Sequence, residues 1–121
     1  MSRPRTITVA DPSVFQNRPL FFFASTAKAL GVNSAILYQL IVERTHHAED
    51  FIKDPRQKGD FYQVRENKIW VKFSYAEFEE KMPWLSETTL KRIVRELKNK
   101  EILFSKQLFV SDYDGTNWYH V

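Results

Sequence analysis

Residues Ser86 to Lys100 read SETTLKRIVRELKNK, and their periodicity decides the fold. Leu90, Ile93, Val94 and Leu97 recur at the i, i+3, i+4, i+7 spacing that places them on one side of a helix. Lys91, Arg92, Arg95 and Lys98 point elsewhere, with Thr88 at the helix start. Ser86 is a good N-cap, because its hydroxyl accepts from a free backbone N–H two or three residues on. Glu87 in the first turn, with the cations later, suits the helix dipole. The spacing predicts one short helix, apolar on one side and basic on the other.

Working backwards, Ser74 caps a predicted helix over Tyr75 to Met82, where Tyr75, Phe78 and Met82 share a face. Pro83 stops that helix, and Pro83-Trp84-Leu85 forms the turn into Ser86. Phe61–Val64 and Ile69–Phe73 flank Arg65-Glu66-Asn67-Lys68, which reads as a β-hairpin. Glu49 to Gly59, with Asp54-Pro55 and Lys58-Gly59, reads as a loop. Asn33 caps a helix from Ser34 to about His46, whose apolar stripe of Ala35, Ile36, Leu37, Leu40 and Ile41 is wide enough for the core. Ala24 to Leu30 is a shorter helix, capped by Ser25 or nearby and closed by Gly31. Phe21-Phe22-Phe23 reads as strand or core-entry sequence. Met1 to Asn17 reads as an arm, with Arg3 and Arg5 about Pro4, a short strand at Thr6–Val9 and a turn at Asp11-Pro12.

Working forwards, Ile102 to Val110 is β-rich, Asp112-Tyr113-Asp114-Gly115 supplies a turn, and Asn117 to Val121 returns antiparallel. Helix, Pro-containing turn, basic helix and hairpin is the order a winged helix-turn-helix needs. The expected fold is α+β: a winged helix-turn-helix with an additional β-hairpin and an N-terminal arm, residues 1–17 forming the arm and 18–121 the domain.

Composition sets the limits. A chain of 121 residues fits one domain. Its 43% hydrophobic and 15% aromatic content suits a folded globule rather than a disordered tail. A net charge of +3 and a pI near 9.2 permit a nucleic-acid partner without proving one. The absence of cysteine excludes disulfides, thiolate zinc sites and thiol catalysis. No window approaches the roughly 18 apolar residues of a membrane span, and Met1–Pro12 has no apolar core of a signal peptide. A cytoplasmic location fits.

In a helix-turn-helix the second helix enters the major groove while the first braces it across the backbone. Lys91, Arg92, Arg95 and Lys98 can then pair with phosphates, and arginine also reads guanine edges. Thr88 and Thr89 lie at the end of the helix that meets base edges. Lys106 and Gln107 in the wing, and Arg3 and Arg5 in the arm, are auxiliaries. Glu77, Glu79 and Glu80 on the bracing helix must point away from DNA or toward a protein partner. The plain alternative is a solvated helix face, since any exposed helix carries polar residues.

Four stretches resemble a known family. Arg18-Pro19-Leu20 running into Ala27–Leu37 is similar to its opening helix pair, and Lys68-Ile69-Trp70-Val71 with Ser74 to Phe78 to its aromatic strand and next helix. Met82 to Leu97 looks like its turn and recognition helix. Tyr113 to Tyr119 carries its Asp-x-Thr-x-Trp-Tyr pattern in the wing's returning strand. The family is the N-terminal winged-helix domain of phage and plasmid replication initiators, the replisome-organiser proteins and related primosomal proteins. The resemblance covers most of residues 18–121. It implies double-stranded DNA binding at repeated sites in a replication origin, with a further C-terminal region recruiting helicase-loading partners; the chain's stop at Val121 leaves an isolated DNA-binding domain or a short protein without that half. Glu101 stands where the family has a glycine closing the recognition helix, so Asn99 is expected to take the left-handed position.

Other constellations are discounted. His46-His47 beside Glu49 and Asp50 lacks the i, i+4 spacing of helical zinc sites, because adjacent helical residues diverge by about 100°; a histidine pair at a helix C-terminus is the simpler reading. His120 is isolated, in or beside a strand. Three glycines make no phosphate-cradling loop. Trp70, Trp84 and Trp118 read as core. No cofactor or metal is expected, and no enzyme. The alternatives kept open are a small phage or plasmid transcriptional regulator and a winged-helix dimerisation or docking module that binds no DNA, with a homodimer or oligomer open in each.

Overall fold

The computed structural model describes residues 19–54, 56, 59–108 and 117–121. The arm, with Arg3 and Arg5, and the turn expected at 112–115 lie outside the described residues. Those described form an α+β fold of four helices and one antiparallel sheet: α1 (Ala24–Leu30), α2 (Val32–Lys53), β1 (Tyr62–Arg65), β2 (Lys68–Phe73), α3 (Tyr75–Lys81), α4 (Glu87–Asn99), β3 (Phe104–Lys106) and β4 (Asn117–His120). The sheet order is β1-β2-β4-β3, so the last strand inserts between β3 and the earlier hairpin. No helix is long and apolar enough to cross a membrane.

Gly31, at φ 88°, ends α1 and starts α2. Neither expected cap operates. Phe23 rather than Ser25 precedes α1 and makes no side-chain cap, and Asn33 lies inside the first turn of α2. The Asn33 Oδ1 is engaged elsewhere, accepting from Trp84 Nε1–H at 3.0 Å. Phe21 and Phe23 are irregular and 55% and 63% exposed, so that run is neither strand nor core entry.

α2 continues past His46 to Lys53, through half of the expected loop. Its buried stripe continues too: Ala48 is fully buried, and Phe51 packs against Phe61 with ring centroids 5.2 Å apart. His46 and His47 are therefore mid-helix, and the dipole account of them fails. The His47 ring packs 5.0 Å from Phe51 and 5.6 Å from Phe61.

The β1–β2 hairpin turns on two residues, Glu66 and Asn67, at φ 56° and 61°. Both central residues at positive φ match the turn whose twist suits a tight hairpin. Ser74 and Glu77 form a reciprocal capping box at the start of α3: Glu77 N–H donates to Ser74 Oγ, and Ser74 N–H to Glu77 Oε1, each at 3.1 Å. The helix ends at Lys81, with Met82 as its C-cap. Ser86 caps α4, accepting from Thr89 N–H at 3.2 Å.

The far end of α4 differs from expectation. Asn99 stays helical, and Glu101 takes the left-handed conformation at φ 59°. Ile102 N–H donates to Leu97 O and Glu101 N–H to Lys98 O, the paired bonds of a Schellman ending. Half-buried Ile102 packs on the core to which Leu97 belongs, and that contact holds Glu101 where a glycine is favoured.

The core lies between α2, α3, α4 and one sheet face. Val71, Phe73 and Tyr119 point inward with Ile41, Phe78 and Leu97. Strand alternation puts Trp70 and Trp118 on the other face. They are nonetheless only 4% and 3% exposed. His120 meets Trp70 edge-on at 4.5 Å and stacks on Phe104 at 4.7 Å, while Lys106 Nζ lies 4.8 Å from the Trp70 ring centroid. Trp84, read from sequence as core, is 54% exposed in the turn before α4.

Two outcomes test this packing. Replacing Glu101 by glycine is expected to stabilise the fold by roughly 0.5–1 kcal/mol, since it relieves a left-handed residue without touching the hydrogen bonds; a lower urea midpoint would contradict it. Burial pushes the Tyr119 pKa above the ordinary tyrosine value, assisted by the charge of Tyr75. The folded protein keeps this proton while the unfolded chain releases it above about pH 10, so stability holds below that pH and falls above it. Tyr119→Phe is expected to remove that part of the alkaline loss in urea melts from pH 8 to 11. At neutral pH both states keep the proton, so this titration contributes nothing to stability there.

Candidate nucleic-acid interface

Burial of Leu90, Ile93, Val94 and Leu97 orients every other residue of α4. At about 100° per residue, Thr88, Arg92, Arg95 and Asn99 form the middle of the solvent face. All four are exposed. Lys91 and Lys98 occupy the edge beside Tyr75 and strands β3 and β4, and Thr89 and Glu96 the opposite edge.

The four cations differ in their engagement. Lys91 Nζ lies 2.9 Å from Glu87 Oε2 and 5.6 Å from the Tyr75 ring centroid. The hydrogen bond that Lys91 donates to Glu87, and then the charge of that carboxylate, hold the Lys91 pKa above its ordinary value. Arg92 Nε lies 3.6 Å from Glu96 Oε1. Among the described residues Arg95 and Lys98 have no ion-pair partner. Exposed intrahelical pairs are weak in water, so Lys91 and Arg92 exchange partners at little cost. Thr88 is free, whereas Thr89 is half-buried and engaged in the cap, its Oγ1 accepting from Ser86 Oγ–H at 3.1 Å.

Lys91, Arg95 and Lys98 converge on a groove of about 300 Å³ shared with Tyr75, Asn99, Ser105 and Asn117. Sequence reasoning missed Tyr75, Asn99, Ser105 and Asn117. Asn99 was visible: Thr88, Arg92, Arg95 and Asn99 follow i, i+4, i+7, i+11. Ser105 and Asn117 enter through strand pairing, with Ser105 opposite Tyr119. Lys106 is not part of this group. Alternation turns it to the outer sheet face, where its Nζ lies 3.3 Å from Glu66 Oε1.

A larger cavity, about 610 Å³, opens between α2, α3 and β2. Its walls interleave Glu43, Asp60 and Glu77 with Arg44, Lys72 and Lys81, so it offers no field of one sign. Among the described residues no group of three His, Asp or Glu side chains could hold a metal ion.

The support of α4 runs through Arg44. Its guanidinium stacks on Phe73 at 3.6 Å and donates to Lys72 O at 2.6 Å and to Glu77 Oε2 at 3.0 Å. Phe73 in turn stacks on Phe78 of α3 at 4.5 Å and 7°. Of the acidic residues on α3, Glu77 is thus turned toward α2 and engaged twice.

Comparison with protein-family models, with curated proteins and with solved structures found no match to the chain.

Arg44→Met keeps the stem and removes two charge-assisted bonds. It is expected to lower unfolding free energy by about 1–3 kcal/mol in urea titration. A change below about 0.5 kcal/mol would mean that Arg44 does not hold α3.

Proposed function

We propose that the chain is a winged helix-turn-helix domain that binds double-stranded DNA, with α4 as the recognition helix and β3–β4 as the wing. The observation that carries this reading is the connectivity around α4. A long helix leads to β2; α3, a Pro83-containing turn and α4 follow; then β3 and β4 return, with β4 paired to β2. That arrangement leaves the basic face of α4 open beside the wing strands, where a duplex has room to enter. Thr88, Arg92, Arg95 and Asn99 take the base-edge role, arginine toward guanine and asparagine toward adenine. Lys91 and Lys98 neutralise phosphates, and the counterions they release supply affinity. The domain acts by binding and not by catalysis.

Within that class, we favour the DNA-binding domain of a phage or plasmid replication initiator acting at origin repeats. The support is the order of four sequence stretches that resemble that family, from Arg18 to Tyr119. Arg3, Arg5 and Lys106 are secondary in this reading, Lys106 because it already covers Trp70.

The Arg92→Ala, Arg95→Ala double variant is expected to fold like the wild type by circular dichroism and to lose at least tenfold in duplex affinity in a salt titration. Wild-type-like binding across salt would remove α4 from the interface.

A further inference from the structure

The groove between α4 and the wing strands carries chemistry of its own. Three cations, Lys91, Arg95 and Lys98, stand on one wall; Ser105 and Asn117 stand on the other; Tyr75 closes one end. Among the described residues no carboxylate lines it. The mixed-charge cavity beside α2 therefore contrasts with it in sign as well as in size.

Beneath the groove lies fully buried Tyr119, and two of the groove's polar side chains, Tyr75 and Asn117, are close enough to act on its hydroxyl.

We propose that this groove is a binding site for a phosphate group. A tetrahedral anion has acceptor oxygens facing both walls at once. Lys98, with no ion-pair partner among the described residues, supplies charge from α4, and Tyr75, Ser105 and Asn117 supply neutral donors. Lys91 joins by releasing Glu87. The site rests on the DNA-binding reading only for the source of the phosphate, which is either the nucleic-acid backbone or a free phosphate ion. In the first case the groove seats one backbone phosphate while the middle of the α4 face reads bases.

The test titrates the ¹⁵N-labelled chain with inorganic phosphate against chloride at equal ionic strength, and follows a fluorescent duplex across salt. Wild type, Lys98→Gln and Tyr75→Phe are compared, their folding checked by circular dichroism. Phosphate is expected to shift the Ser105 and Asn117 amides saturably, chloride is not, and both variants should weaken the effect. On the duplex, Lys98→Gln is expected to lower the slope of log K against log salt by about one. Tyr75→Phe should weaken binding severalfold at an unchanged slope. A phosphate shift with no duplex binding, or with an unaltered slope, assigns the site to free phosphate; the former also ends the DNA reading. Duplex binding with a wild-type slope in Lys98→Gln and no phosphate shift overturns the site and leaves the DNA reading standing.

Discussion

The Arg44 guanidinium is the joint on which the rest of the domain is hung. It reaches from the middle of α2 to a backbone carbonyl of β2 and to the carboxylate that caps α3. The long helix is thereby fixed to a strand and a helix about 30 residues further on by one planar cation. Its stacking on Phe73 and Phe73's stacking on Phe78 extend that fixation into the core. Because α3 leads through Met82 and Pro83 into α4, the orientation of the basic helix is inherited from this joint. The charge is half-buried, with the Glu77 carboxylate and a carbonyl to satisfy it, which is the condition under which such a pair contributes to a fold.

The sheet separates two environments. Its inner face is ordinary core. Its outer face is a layer of aromatic rings roofed by long cations, in which Lys106 lies over Trp70 and Lys72 Nζ stands 5.8 Å from the Trp118 ring centroid. The additional hairpin belongs to this layer. Its tip pairs with Lys106 through Glu66, and Arg65 donates to Leu108 O at 3.3 Å, so β3 and the residues after it are tied back to β1. The hairpin thus steadies the far edge of the sheet.

Much of this was legible in the residues themselves. The limits of α4 follow from Ser86 and the spacing of four apolar residues, and the α3 cap from Ser74 with Glu77 three positions on. Other features were hidden for identifiable reasons. The end of α2 was lost because Arg44-Thr45 interrupts the apolar stripe between Ile41 and Ala48; Arg44 is polar for a tertiary purpose, and the Thr45 hydroxyl donates to Ile41 O within the helix. Trp84 reads as core until Asn33, 51 residues earlier, supplies an acceptor at the surface. The groove depends on which side Ser105 and Asn117 face, and a one-residue slip in strand register would reverse both. Such a choice is made by pairing across the sheet and leaves no local mark.

The two carboxylates on α4 have a further consequence. Glu87 and Glu96 each hold a neighbouring cation, so four cations and two carboxylates between residues 87 and 99 leave the helix with a formal charge of only +2. If α4 meets a duplex as proposed, an internal carboxylate would compete with every chance phosphate for Lys91 and Arg92. Departure from random sequence would be eased, and residence time would depend more on the geometric match that draws both cations away together. The proposed interface would thus carry its own competitor, and through it a kinetic filter.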